Sequence, residues 1–208
     1  MATTKTTTST TKKKTTESAP DETHRPLLAV DELLALGLGS NLGDCEGYLR
    51  RALVALETLL GPLRVAPLYR TRAISSIPQP DYLNTVALAD LATVGDLDPC
   101  SLLAELKALE RSAGRRDGPR DGPRPLDLDL LVWGRLRIDH PTASPALVVP
   151  HPRMTQRRFV LAPLADLAPD LRLAEGGHTV RQMLEALGSD QVIERLPWSD
   201  PPPASFRV

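Results

Sequence analysis

Apolar positions change their period several times along the chain, and each change marks an element. Residues 33–39, LLALGLG, form a short continuous apolar run ending in glycine, the pattern of a buried strand. SNLGD at 40–44 is turn chemistry and supplies candidate helix caps. From Cys45 to Leu60, the residues Leu49, Ala52, Leu53, Leu56, Leu59 and Leu60 recur at helical spacing, and Gly61-Pro62 ends that helix. LRVAPLYR at 63–70 predicts a strand, with Pro67 marking an edge or a bend. A loop with two prolines at 71–81 leads into YLNTVALADLAT, 82–93, which alternates as a further strand. Leu102, Leu103, Leu106 and Leu109 predict a helix over about 98–112, with Pro99 near its first turn. After an arginine-rich loop, PLDLDLLVWG at 125–134 is the next strand. The order β-α-β-β-α-β predicts an α+β, ferredoxin-like core. Residues 135–196 append short C-terminal elements: helix or irregular structure at 157–169 and a short helix at 179–187.

The two ends read differently from this body. Residues 1–28 are rich in threonine and lysine and nearly free of apolar side chains, so burial cannot offset the entropy of ordering them. They are expected to be a disordered tail. Their basic residues are followed by no apolar run, which excludes a secretory signal, and Glu17, Asp21 and Glu22 count against a transit peptide. Residues 29–196 form the expected domain, and 197–208 a loose, Pro-rich C-terminal tail.

Composition narrows the class. A chain of 208 residues with 41% apolar content suits one domain with tails. No stretch approaches the ~20 apolar residues of a membrane helix. The formal net charge of −1 argues against a protein that coats nucleic acid, while leaving room for a local basic pocket. Cys45 and Cys100 match no metal or redox spacing and are expected to be reduced, in a cytoplasmic protein.

The candidate chemistry is concentrated between 110 and 130. In LDLDL, 126–130, strand geometry puts Leu126, Leu128 and Leu130 on one face and Asp127 and Asp129 on the other. Neighbouring carboxylates repel unless a positive charge lies between them, and a hard divalent cation answers that need. An amphipathic edge strand with an acidic solvent face is the alternative. Just upstream, GRRDGPRDGPRP (114–125) contains Arg115, Arg116, Arg120 and Arg124, with glycines for mobility and prolines to limit it. Such a loop beside a metal-binding pair suits closure over a polyphosphate; a solvated loop paired with Asp117 and Asp121 is the alternative. The short repeat of DGPR within it is too small to be architectural. The chain has no Gly-rich phosphate loop ending in Lys-Ser/Thr and no dinucleotide fingerprint. Tyr82, Asn84 and Phe159 have the residue types to sandwich and read a flat heterocycle, but by type alone the structural reading is favoured: Tyr82 and Phe159 are more often core, and Asn84 is more often a satisfied strand-end amide.

Six segments, in order, resemble 6-hydroxymethyl-7,8-dihydropterin pyrophosphokinase of folate biosynthesis: GLGSNLGD (37–44), LYRT (68–71), QPDYLN (79–84), GR (114–115), GPRPLDLDLL (122–131) and VPHPRM…RRFVLAPLADLAPDL (149–171). The likeness covers roughly 33–190. It implies pyrophosphate transfer from ATP to the pterin hydroxymethyl group with release of AMP, by a Mg²⁺-dependent monomer with no nucleic-acid or membrane partner. By the same resemblance, Asp127 and Asp129 hold two Mg²⁺ ions. Arg115, Arg124 and, as the second loop arginine, Arg116 act on the phosphates. Glu110, Arg124, His151 and Arg157 bind ATP, and Thr71, Tyr82, Asn84 and Phe159 bind the pterin. Two departures stand out. Asp121 occupies the place of the usual loop tryptophan, and the stretch from Gly114 to Arg124 is one residue short. The competing readings are a D-x-D nucleotidyltransferase, which would release pyrophosphate, and a non-enzymatic ferredoxin-like binding module. The latter would want a strand aromatic stripe on a basic face, which the predicted strands lack.

Overall fold

A computed structural model describes residues 1, 30–73, 75, 77–115, 122–141, 146–173 and 177–200. The expected N-terminal tail beyond Met1, residues 201–208 and loop residues 116–121 lie outside the described residues. The body is α+β, with one antiparallel sheet between two helical layers.

β1 (Leu33–Ser40) lies inside the sheet, paired antiparallel with both β4 (Tyr82–Asp90) and β5 (Asp127–Trp133). Its continuous apolar run has a simple cause: both of its faces are covered. Leu34, Leu36 and Leu38 pack with α1 (Cys45–Leu60) and α2 (Pro99–Ser112). Leu33 and Ala35 pack on the opposite face with α3 (Arg158–Leu167) and Val180 of α4 (Val180–Ala186). Asp44 caps α1 by accepting from Gly47 N–H, and Asp98 caps α2 ahead of Pro99.

The predicted strand 63–70 is interrupted at Pro67, leaving β2 (Arg64–Val65) and β3 (Leu68–Thr71), both paired with β4. The strand expected through residue 93 stops at Asp90. The Asp90 side chain accepts from Ala92 N–H at 2.9 Å and starts a short 3₁₀ turn there. Residues 157–169 contain α3, a true helix that carries Pro163 within it. Three short strands went unmarked in the sequence. β6 (Ile138–His140) and β7 (Leu147–Val149) form a separate hairpin. β8 (Ile193–Leu196) extends the sheet beyond β3, giving the order β5-β1-β4-β3-β8.

The appended C-terminal elements therefore cover the second face and one edge of the sheet. Residues 197–200, expected in the loose tail, are docked instead. Trp198 Nε1 donates to the Ala66 carbonyl at 3.0 Å, and its ring faces the Arg50 guanidinium at 5.2 Å. Ser199 N–H and Oγ donate to Glu46 at 2.9 and 2.6 Å. An indole buries enough surface to order a short segment that its polar neighbours alone would leave free.

A polar brace fixes α3 to the sheet. Tyr69 is 5% exposed, and its hydroxyl donates to Asp166 Oδ2 at 2.8 Å, while Arg195 Nε of β8 donates to the same oxygen at 3.2 Å. Burial, then the hydrogen bond to Asp166 and its charge, push the Tyr69 phenol up to about 12. Tyr69→Phe should cost about 1 kcal/mol, since Asp166 keeps Arg195. Urea denaturation should show a lower midpoint with an unchanged slope.

Candidate active site

Period-2 geometry decides where the chemistry goes. On β5, Leu128 and Leu130 point to the α1–α2 layer, so Asp127 and Asp129 face the opposite side. In register beside them on β1 stand Gly39 and Gly37, and beyond Gly39 on β4 stands Asn84. The two glycines leave that floor without side chains. A Cβ on Gly39 would approach Asn84 Oδ1 to 2.9 Å. The space above this floor, under the start of α3, is a cavity of about 490 Å³.

Charge is distributed unevenly across the cavity. Asp127 and Asp129 line it together with six cations: Arg72, Lys107, Arg115, Arg124, Arg153 and Arg157. A chain near neutrality overall thus has a cavity with a clear cationic excess, which suits a polyanion. Arg115 Nη1 and Arg124 Nη1 both reach Asp127 Oδ1, at 2.8 and 3.0 Å. Burial alone would raise the Asp127 carboxyl. The charges of Arg124 and Arg115, a hydrogen bond from Arg124 and the charge of Lys107 outweigh it and hold that carboxyl below the usual 3.8. Arg157 Nη1 and His151 Nε2 stand 3.8 and 4.0 Å from Asp129 Oδ2. His151 Nδ1 accepts from Arg153 N–H at 3.2 Å, so the neutral ring has its proton on Nε2, toward Asp129. Burial first, with the charges of Arg157 and Arg153, lowers the His151 pKa against the pull of Asp129.

Glu110, expected on the ATP side, stands next to Arg115 of the cavity. It is 2% exposed, at the end of α2, and is not among the lining residues. Its Oε1 accepts from Leu128 N–H and from Lys107 Nζ, each at 2.8 Å, and its Oε2 meets Arg115 at 2.7 Å. Lys107 also donates to the Leu128 carbonyl at 3.2 Å. β5 is a sheet edge, and these two side chains satisfy the Leu128 backbone groups as a further strand would. The aspartate-bearing strand is thereby pinned, and Arg115 is aimed into the cavity.

The uncharged part of the cavity is formed by β3, β4 and α3. Asn84 Nδ2 donates to Thr71 Oγ1 at 2.9 Å, and both residues are buried. Tyr82 opens β4 and its hydroxyl donates to the Gly122 carbonyl at 3.4 Å. Phe159 lines the same cavity from the first turn of α3, with the Arg157 guanidinium 5.4 Å from its ring centre. Of the expected site residues, Thr71, Tyr82, Asn84, Arg115, Arg124, Asp127, Asp129, Arg157 and Phe159 converge on this one cavity, with His151 at its border. Arg116, and with it Asp121, lies outside the described residues.

Several contributors escaped the sequence reading. In the sequence Asn41 reads as turn chemistry. It is 1% exposed and joins three loops: Oδ1 accepts from Arg124 N–H at 2.8 Å, and Nδ2 donates to Gln79 Oε1 and the Pro80 carbonyl at 2.8 and 3.1 Å. Lys107 was visible as the body's sole lysine, three residues before Glu110 on the helix. No local signal marked Arg72, Arg153 or the floor glycines.

The donor set fits a hard divalent cation. Two carboxylates on one strand face, open to a cavity, leave the remaining coordination positions for water and phosphate, as Mg²⁺ prefers. Among the described residues, no group of three or more His, Cys, Asp or Glu forms a closed metal cage.

Comparison with known proteins locates this arrangement. The family model for 7,8-dihydro-6-hydroxymethylpterin-pyrophosphokinase (HPPK) matches residues 35–169. A Pseudomonas aeruginosa protein named 2-amino-4-hydroxy-6-hydroxymethyldihydropteridine pyrophosphokinase is 43% identical over 164 residues, covering 78% of this chain and 95% of that one. A Synechocystis protein of the same name is 38% identical over 152 residues, with 72% and 73% covered. Among solved structures, Plasmodium falciparum HPPK-DHPS, wild type with pterin and p-hydroxybenzoate, aligns with a TM-score of 0.57 at 16% identity. It covers 76% of this chain and 43% of that one, so this chain spans less than half of that protein.

Two measurements test the geometry. Gly39→Ala should leave the chain folded but disturb the Asn84–Thr71 pair, seen as a shift in the Asn84 side-chain amide NMR signals. Arg124→Ala removes the largest influence lowering the Asp127 pKa, so a carboxyl NMR titration should find that pKa raised. In the unaltered chain, Asp127 contributes stability above pH ~4 that is lost as pH falls through its depressed value. The variant should lose less stability over that acid range.

Proposed function

The chain belongs to the 7,8-dihydro-6-hydroxymethylpterin-pyrophosphokinase family, and we propose that the cavity above Asp127 and Asp129 divides into a phosphate half and a pterin half. The enzyme transfers pyrophosphate from ATP to 6-hydroxymethyl-7,8-dihydropterin, with release of AMP, in folate biosynthesis. One observation supports the division above all. Asp127, Asp129 and the cavity arginines share a cavity with Tyr82, Asn84, Thr71 and Phe159.

On this reading, Asp127 and Asp129 would hold Mg²⁺, two ions in all, which when bound neutralises the phosphates. Arg115 and Arg124 share one oxygen of Asp127. A phosphate chain carries more charge than that shared carboxylate and draws their donors onto its oxygens. Arg157 and the Nε2–H of His151 lie beside Asp129 and serve the nucleotide from the α3 side. Glu110 acts through Arg115 and Lys107, which it orients. Tyr82 and Phe159 enclose the pterin ring, while Asn84, fixed by Thr71, reads its amide edge.

The pterin hydroxyl oxygen forms a bond to the β-phosphorus as the bond from that phosphorus to the bridging oxygen of AMP breaks. The hydroxyl proton leaves to solvent or through Asp129. Positioning and charge stabilisation by Arg115 and Arg124 supply most of the acceleration in such a transfer. The neighbouring order β5-β1-β4-β3, with α1 and α2 as crossovers, supports a ferredoxin-like core for this domain, proposed at 29–196. The reading includes a cytoplasmic monomer. Among the described residues, no helix is long and apolar enough to cross a membrane.

A coupled assay should detect AMP only when 6-hydroxymethyl-7,8-dihydropterin is added, with no free pyrophosphate; accumulation of pyrophosphate would favour a nucleotidyltransferase. Asp127→Ala should leave less than about a tenth of the turnover at saturating Mg²⁺, a loss of more than ~1.4 kcal/mol in the transition state. Arg124→Ala should lower kcat more than it weakens pterin binding, and the opposite pattern would reduce Arg124 to a recruiting role.

A further inference from the structure

α3 starts beside the cavity without a cap of its own. Arg157 stands at the cap position and makes no side-chain capping bond, although the first N–H groups of a helix need outside partners. The partner comes from 33 residues downstream, well past the family-matched stretch that ends at residue 169. Gln191 Oε1 accepts from Arg158 N–H at 2.8 Å, and Gln191 Nε2 donates to the Gln156 carbonyl at 2.8 Å. One planar amide therefore brackets Arg157 from both sides in sequence. Gln156, Arg157 and Phe159 all line the cavity. The Arg158 guanidinium donates to the Gly188 carbonyl, holding the same downstream segment at a second point. Arg195 anchors the segment to Asp166 near the far end of α3.

We propose that Gln191 is a positioning residue for the pyrophosphokinase reaction: its amide fixes the backbone on either side of Arg157, so that Arg157 meets the ATP phosphates while Phe159 closes on the pterin. This rests on the functional reading above. The requirement for an amide is chemical. Glutamine offers a donor and an acceptor in one plane at the reach needed. Glutamate keeps the acceptor for Arg158 N–H but turns a second oxygen on the Gln156 carbonyl. Alanine offers neither.

The test uses the full chain and measures AMP formation with ATP and 6-hydroxymethyl-7,8-dihydropterin varied independently, alongside thermal melting. Gln191→Ala should raise KM for both substrates about tenfold, the scale of losing two modest hydrogen bonds, with kcat changed less than about threefold. Gln191→Glu, which keeps one of the two bonds, should give an intermediate rise. A merely structural role would lower the Tm and leave the kinetics of the folded molecules unchanged. Wild-type KM values in either variant, measured below its Tm, overturn the proposal, and Gln191→Glu remains decisive if Gln191→Ala does not fold. The unaltered chain is the control. Absence of pterin-dependent AMP formation there overturns the functional reading underneath, whereas normal activity there with unaffected variants overturns only the bracket.

Discussion

Two carboxylates project from one face of an edge strand about 7 Å apart along the chain, and their mutual repulsion needs an opposing charge. The protein meets this constraint with arginines from three segments: Arg115 after α2, Arg124 before β5, and Arg157 before α3. Their number exceeds what the aspartates need. The surplus gives a nearly neutral chain a cavity with cationic character, and it prepares the site for a ligand more highly charged than any side chain. The sheet edge itself is held by Glu110 and Lys107 on the Leu128 backbone, so the aspartates are carried by a strand with little freedom to drift.

The other half of the cavity depends on a layer outside the core of four strands and two helices. α3 covers the second face of the sheet and brings Phe159 and Arg157 to the cavity. It is tied down at both ends by the C-terminal segment and by Tyr69 of β3, whose neighbour Thr71 fixes Asn84. The appended elements thus complete the cavity wall that carries Phe159 and close one edge of the sheet. They bury α3 deeply enough to make it a rigid support rather than a loop.

The strand and helix order of residues 33–134 was legible because its apolar periods are long and clean. Boundaries failed where one polar side chain redirected the backbone, as Asp90 did by capping a turn inside an apolar run. β8 was missed because IERL has too few apolar residues to announce a strand; its ladder with β3 supplies what its composition lacks. Trp198 lay in a Pro-rich stretch that reads as loose, and only its contact with Ala66 and Arg50 shows why it is ordered.

The sequence by itself determined the paired aspartates on one strand face and the arginine-rich approach to them, which follow from local period and residue chemistry. Tyr82, Asn84 and Phe159 were singled out by the resemblance of ordered motifs, since by type alone they read as core. Only the tertiary structure decided that Glu110 orients Arg115 and Lys107, that Gly37 and Gly39 form the cavity floor, that Asn41 knots three loops, and that Gln191 caps a helix far from it in sequence. The physical reason is the same in each case. These roles depend on which strands lie side by side and which distant backbone groups lack partners, and neither is encoded within a few residues of the side chain that answers the need.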